Sequence, residues 1–404
     1  MIKITKEQLF DGLYMSYHTS AMDDNEFFKV RNSFLSKIDD SVETAKEKLV
    51  NMVCKKISGQ PTPVVVLHSG GVDSTFMLLM ARDCYEEKDI RTVTIGFDEK
   101  EFDERNKVRE ICKRLWTTDN WKRIEYIVYK EFMEYYLSKI DKNNYLDWFY
   151  SSSLIPTFTA FDIAKDHGNT IITGDGGDEL FCGYDRYLFA YYFPFSWLMI
   201  LRDKRKEKGK RFRKYGYEGL VSIWDYEILS KLLGFCGGYN NIFKNIKDEV
   251  NFTHMNCLEG LMLTDIATEL NGVELLKVET ARRMTGYINT ISPFLDAKIR
   301  NYCCSLPIDY KYRSFTRKWL LREIIKDRLP EYDKISKKKK GFGMPIGKWL
   351  SEYILDDFTS EYFNQKEVAK IWTEHKKGLV DHSERLFGLF MFNVLRNKGI
   401  LEVV

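Results

Sequence analysis

The feature that most limits what this chain can fold into is a matched pair of segments. Residues 64–74 read VVVLHSGGVDS and residues 172–184 read ITGDGGDELFCGY. Each is a short apolar run that breaks into a glycine turn carrying acids or hydroxyls. An uninterrupted apolar run of this length is the pattern of a strand buried on both faces, as in a parallel sheet. Glycine in the turn lets the backbone approach an anion closely and take a positive φ where needed. Two such turns on neighbouring strands would enclose a nucleotide, its phosphates and a divalent metal.

Strands and helices alternate around the pair. From residue 61 the pattern predicts strands at 64–68, 91–97, 123–129 and 170–174. It predicts helices at 75–81, 102–115 and 155–165, the second with Val108, Ile111, Cys112 and Leu115 on one face. The expected fold is α/β, a doubly wound parallel sheet with right-handed crossovers. Residues 61–190 would form this nucleotide-binding core. Residues 1–60 read as a helical extension, with a loop at 23–26 and a helix at 41–56 set to cover an edge of the core. Residues 191–258 read as a variable basic and aromatic insertion. The β pattern stops after Tyr184, so residues 259–404 should be helical.

The formal net charge of +3 is small for 404 residues, which argues against nucleic acid as a partner. The basic run at 202–214 is a solvated face or a contact for an anionic partner. Eight cysteines include no CxxC pair, the pattern of buried free thiols in a reducing cytoplasm rather than a zinc site. The apolar stretch 187–200 is too short for a bilayer span and contains Pro194. It reads as core or as a contact between subunits, which leaves a homo-oligomer open, with an interfacial membrane contact as the alternative.

SGGVDS lacks the GK[ST] ending of a Walker loop, yet its composition suits a phosphate site. Gly70 and Gly71 allow close approach, Ser69 and Ser74 offer hydroxyls, and the following helix aims its first N–H groups at the same place. Asp73 would repel phosphate unless a cation stood between them, which points to a Mg²⁺ ligand. The plainer alternative is a turn in which Asp73 or Ser74 caps the helix.

The string SGGVDS resembles the PP-loop of the ATP pyrophosphatases, which cleave ATP between its α and β phosphates. GDGGDELFCGY is similar to the second signature of the asparagine synthetase family, with Cys182 at a common glycine position. Residues 151–173 resemble that family's Ser-x-x-Pro helix and following strand. Residues 317–350 fit its K..LR…LP…K.GF..P…W pattern, and KVETARRMTGYINTISPFLD at 277–296 is a degraded copy of another block. There PFLD is intact, while the usual acid and arginine positions hold Asn289 and Ile291.

The resemblance implies a set of roles. Asp73 and Asp178 would bind Mg²⁺. Leu67, Ser69, Gly70, Gly71, Asp73, Ser74, Ile95 and Gly174 would bind ATP and pyrophosphate, with adenine near Leu67 and Ile95–Gly96. Lys339, or Lys340 if the register slips, would be the catalytic lysine. Asp175 would orient the nitrogen nucleophile or accept its proton. Lys318 and Arg322 would be phosphate contacts or helix surface. The implied reaction is ATP-dependent amide formation through an acyl-adenylate, from a small-molecule or peptide carboxylate and ammonia or an amine. Glutamine-dependent members begin with a glutaminase whose nucleophile is an N-terminal cysteine. Here Ile2 follows Met1, and residues 1–60 are too few for that domain. A synthetase domain alone is expected, with a separate glutaminase subunit as one source of ammonia. An intramolecular cyclase, a non-catalytic nucleotide-binding subunit and a tRNA thiolase are the alternatives. The last is disfavoured by the missing CxxC.

Overall fold

A computed structural model of the chain describes residues 1–16, 24–116, 122–192, 210–211, 214, 217–235, 255–336 and 344–404. At its centre is a five-stranded parallel sheet in the order β4-β3-β2-β5-β6. The strands are β2 (Val64–Leu67), β3 (Ile90–Phe97), β4 (Lys122–Val128), β5 (Thr170–Ile172) and β6 (Asn289–Ile291). The chain enters in the middle, steps outward through β3 and β4, and returns to the other side of β2 through β5. Val64 is paired with Ile90 on one side and Thr170 on the other.

The period-two alternation of a strand divides the sheet between two apolar cores. Val65, Val93, Ile95 and Ile171 face one core with Phe158 and Phe161. Val64, Val66 and Ile172 face the other with Phe76, Leu79 and Ile111. The helices responsible are α6 (Leu154–Ala164) on the first face, with α4 (Val72–Cys84) and α5 (Arg105–Leu115) on the second. All the main side chains named are fully or nearly fully buried. At roughly 1.5–3 kcal/mol for each large apolar side chain, this burial is the main force holding the layers together.

The ends of the chain meet, since β1 (Ile2–Ile4) pairs in parallel with β9 (Leu401–Val403). Helix α1 (Lys6–Met15) begins with a capping box between Thr5 and Gln8. Helix α3 (Val42–Ile57) has the expected apolar face and a Ser41 cap. It packs on α4 of the core and on later helices. The loop expected at 23–26 is replaced by α2 (Asp24–Leu35) at its described positions; residue 23 lies outside the described residues.

The expectation that strands stop after Tyr184 is also corrected. Strand β6 joins the central sheet beside β5, and a small hairpin of β7 (Tyr312–Arg313) and β8 (Thr316–Arg317) follows. Strands of two or three residues at an edge are too short to display an alternation. Most of the run 202–214 and residues 193–200 lie outside the described residues. Among the described residues no helix is long and apolar enough to cross a membrane. The described cysteines are free; Cys112, Cys182, Cys303 and Cys304 are buried, but Cys257 is exposed.

Candidate active site

The sheet reverses its winding between β2 and β5, and ligands of open α/β sheets gather outside the carboxyl ends of the strands at such a point. Val66 is paired with Ile172 there, so both glycine turns leave the sheet side by side. A cavity of about 430 Å³ opens between them, a size suited to a small-molecule ligand.

The first turn runs from the end of β2 into α4. Gly70 has a φ of +71°, and Gly71 is the helix N-cap without a side-chain cap. The helix starts at Val72, earlier than residue 75, and neither Asp73 nor Ser74 caps it. Instead Ser74 folds back on the turn. Its Oγ accepts the Ser69 N–H at 3.2 Å, lies 3.2 Å from Ser69 Oγ and donates to the Gly71 carbonyl at 3.3 Å. The first intrahelical bond is from Thr75 N–H to Gly71 O. The amides of the first turn thus lie outside the helix ladder, at the positive end of the helix dipole.

The second turn packs directly on Asp73. A Cβ on Gly177 would stand 2.4 Å from Asp73 Oδ1, and one on Gly174 would stand 3.0 Å from Asp73 Cβ. Only a residue without a side chain lets the two turns approach this closely. The carboxylates of Asp73 and Asp178 meet at one ammonium, that of Lys318. Its Nζ contacts Asp73 Oδ2 and lies 2.7 Å from Asp178 Oδ1. Burial works against the charge of Lys318, but Asp178 and Asp73 outweigh it and keep the group protonated. Arg322, by contrast, bonds Asp333 at 2.7 Å and the Arg317 carbonyl, away from the cavity.

The donor set suits a hard divalent cation. Two carboxylates converge from adjoining strand ends, and the ammonium between them shows that this point favours positive charge. Among the described residues no cluster of three or more His, Cys, Asp or Glu side chains forms a closed cage. Mg²⁺ commonly binds through one or two carboxylates, keeping its other positions for water and substrate phosphates.

On the other side of the cavity Asp175 is 3.0 Å from Lys277 Nζ, and Lys277 also contacts Glu274. Burial alone would raise the Asp175 pKa, but Lys277 and the Thr173 hydroxyl hold it below the usual carboxylate range. Glu274 moves the opposite way, raised by burial and by Asp175 against the pull of Lys277. Glu179 is raised well above its ordinary value by burial and by Glu274 and Asp178, while accepting the Tyr184 hydroxyl at 2.8 Å. One lysine therefore serves an ionised aspartate and a glutamate whose proton is held more tightly. Glu274 ends a π-helix, Ile266–Glu274, a distortion that often marks functional positions.

The remaining wall is apolar: Leu67, Val93, Ile95, Phe97 and Phe102 line it. Gly96 does not open to it, because Asp103 and Arg105 fill the space beside its Cα. His68 is fully buried beside Thr75, with its pKa pushed down to about 3 by burial and by Lys107, so it is a neutral core residue.

Leu67, Ser69, Gly71, Asp73, Ser74, Ile95, Gly174, Asp175 and Asp178 all line one cavity. Gly70 lies in the first turn beneath Lys107. Lys339 and Lys340 lie outside the described residues. The degraded block contributes Lys277 rather than Asn289, whose amide bonds Gln60 and Thr170 at the sheet edge. Asp296 of PFLD caps the next helix and pairs with Lys56 at 2.8 Å. Lys277 and Glu274 were not singled out from the sequence. Their i,i+3 spacing beside the quoted KVE was the available signal.

Comparison with known proteins agrees with this geometry. A family model described as Asparagine synthase matches residues 45–396. "Asparagine synthetase [glutamine-hydrolyzing] 1" of Bacillus subtilis (strain 168) is 25% identical over 401 residues, covering 89% of this chain and 61% of that protein. "Putative asparagine synthetase [glutamine-hydrolyzing]" of Mycobacterium tuberculosis (strain ATCC 25618 / H37Rv) is 23% identical over 356 residues, covering 80% and 53%. The chain thus spans between half and two thirds of the length of these relatives. With a family match across most of its length and the paired glycine turns in place, the chain belongs to the asparagine synthase family.

Proposed function

We propose that this protein is an ATP-dependent carbon–nitrogen ligase, and that it activates a carboxylate as an acyl-adenylate before passing the acyl group to ammonia or an amine. The single observation that carries the reading is the meeting of Asp73 and Asp178 at one cationic point beside an open helix N-terminus. A phosphate turn that holds acids is useful to a metal-bound triphosphate and of little use to a free anion.

A carboxylate is a poor acyl donor because its leaving group would be oxide. Attack of its oxygen on the α-phosphorus breaks the bond to the β-phosphate oxygen. Pyrophosphate leaves and AMP becomes the acyl leaving group. Ser69, Gly70, Gly71 and Ser74, with the first-turn amides of α4, would hold the departing pyrophosphate. Mg²⁺ bound by Asp73 and Asp178 would neutralise the charge that builds there. The Lys318 ammonium lies beside the same oxygens. The apolar wall of Leu67, Val93 and Ile95 suits adenine. Asp175, held ionised by Lys277, is suited to accept a hydrogen bond from the nucleophile and orient it. Glu274 holds protons more strongly and is the better acceptor for the proton that nitrogen must lose. Lys339 is assigned to the oxyanion of the acyl-transfer step on the family pattern.

The nitrogen source is ammonia, either free or delivered by a glutaminase, or an amine of the substrate itself. The test is ATP–pyrophosphate exchange across a panel of carboxylic acids, aspartate included, followed by AMP release with and without ammonium. Acid-dependent exchange is expected. AMP release that needs ammonium identifies external ammonia; release without it identifies a substrate amine where an amide of the acid is formed, and hydrolysis where the free acid is recovered. Nucleotide binding with no exchange for any acid would replace the ligase reading with a binding subunit.

A further inference from the structure

The two carboxylates assigned to the metal already share a cation, and it belongs to the chain. Lys318 is almost wholly buried, with its Nζ against Asp73 Oδ2 and 2.7 Å from Asp178 Oδ1. The space around it is closed. A Cβ on Gly183 would lie 1.9 Å from Asp178 Oδ1 and 2.3 Å from Lys318 Cε. Mg²⁺ requires oxygens at about 2.0–2.1 Å in near-ideal geometry. It cannot take the two oxygens that hold the ammonium, Asp73 Oδ2 and Asp178 Oδ1, while Lys318 stands between them.

The backbone that carries this lysine is held in a costly conformation. Lys318 has a φ of +55°, and the hairpin turn just before it, Ser314 and Phe315, has φ of +49° and +61°. None is glycine or asparagine, the residues that enter this region most readily. Lys318 N–H donates to the Phe181 carbonyl at 3.0 Å. Arg317 fastens the hairpin to the Gly183 carbonyl at 2.9 Å and to Asp185. The backbone is thereby pinned against the second glycine turn, so an exchange of partners would have to come from the side chain. Asp73, one of the two acids that hold the ammonium, belongs to the first turn of α4, which forms part of the phosphate cradle.

We propose that Lys318 is a resident counterion. It holds Asp73 and Asp178 together in the nucleotide-free protein, and it yields them to Mg²⁺ when a triphosphate offers the ammonium other oxygens. The inference rests on the ATP reading above and adds a consequence for order of binding. Mg²⁺ alone must displace a like-charged group without bringing phosphate oxygens to receive it, whereas Mg²⁺ with nucleotide brings them. Metal and nucleotide therefore bind with positive cooperativity, and the coupling resides in one side chain.

The test is calorimetric titration of Mg²⁺ into wild type and Lys318→Met, with and without a non-cleavable ATP analogue, beside thermal denaturation over the same conditions. With Mg²⁺ binding by the analogue itself subtracted from a protein-free titration, the analogue should tighten Mg²⁺ binding to wild type by about tenfold or more, within the usual range of such couplings. In Lys318→Met the metal alone should bind about tenfold tighter than in wild type, and the effect of the analogue should shrink. A Lys318→Met protein that is unfolded in chelator and folds with millimolar Mg²⁺ supports the proposal. One that stays unfolded at every Mg²⁺ concentration overturns it, because the ion then cannot stand where the ammonium stood. Unchanged or weaker binding of Mg²⁺ alone to Lys318→Met also overturns it and leaves a purely structural lysine. Wild type that binds no nucleotide with any metal overturns the ATP reading and this inference together. Nucleotide binding with an unaltered metal response in the variant overturns this inference alone.

Discussion

Replacing Gly177 by alanine tests whether the site depends on the two turns touching. The added Cβ would lie 2.4 Å from Asp73 Oδ1 and 2.6 Å from Asp73 Cγ, where ordinary contact begins near 3.4 Å. The Asp73 carboxylate must therefore retreat by about 1 Å, or the second turn must. Alanine is a better helix former than glycine by about 1 kcal/mol, and Gly177 opens the helix Gly177–Leu180. That gain offsets part of an overpacking cost of about 1–3 kcal/mol, so the fold should survive with a modest fall in Tm. Activity should not survive as well. A misplacement of about 1 Å at a reacting centre can cost 10²-fold, or roughly 2.7 kcal/mol of transition-state stabilisation. The assay is ATP–pyrophosphate exchange at saturating Mg²⁺ and nucleotide, with circular dichroism as the check on folding. A loss of about a hundredfold with native spectra is expected. Exchange within a few-fold of wild type would show that the closeness of the turns is incidental to the chemistry.

Asp178→Asn removes one of the two carboxylates at the metal position and should lower exchange by at least about 10²-fold, measured in the same assay against native circular dichroism. Arg186→Met leaves Asp265 buried without the guanidinium that bonds it at 2.7 and 3.0 Å. Breaking a buried pair this way costs about 3–5 kcal/mol, which urea denaturation will register. Glu218 is buried and accepts the Tyr14 hydroxyl at 2.7 Å, and its pKa is raised to about 7, mainly by burial. A raised carboxyl binds its proton more tightly folded than unfolded, so its contribution to stability is present at low pH. That contribution is lost as pH rises from the unfolded value towards about 7. Glu218→Gln should therefore raise Tm above pH 7 and leave it little changed below pH 4.5, the ordinary value for glutamate. Equal shifts at both ends would contradict the sign.

What could be read in the sequence was what is local. An apolar strand, a glycine turn and an acid lie within a dozen residues, so both turns and their joint cavity were foreseeable from residues 64–74 and 172–184. Strand β6 was not, because three residues at a sheet edge carry no period and their partner β5 lies over a hundred residues away. Lys277 and Lys318 gain their meaning from contacts across long separations, with Asp175 and with Asp73 and Asp178. Lys318 also sits at an exceptional backbone angle, so a helical pattern through KWLLR could not tell which way it faces. Asp73 was legible, because an acid in a phosphate turn calls for a cation; its approach to Lys318, 245 residues away, was not.

The most direct measurement follows the oxygen of the acid. A carboxylate that stimulates exchange is labelled with heavy oxygen and incubated with the protein, ATP, Mg²⁺ and the nitrogen donor, and the nucleotide products are separated and weighed by mass spectrometry. Attack by the acid on the α-phosphorus predicts one labelled oxygen in AMP and unlabelled pyrophosphate. ADP with label in orthophosphate, or AMP that carries none, would mean that the cradle formed by Asp73 and Asp178 serves some other reaction.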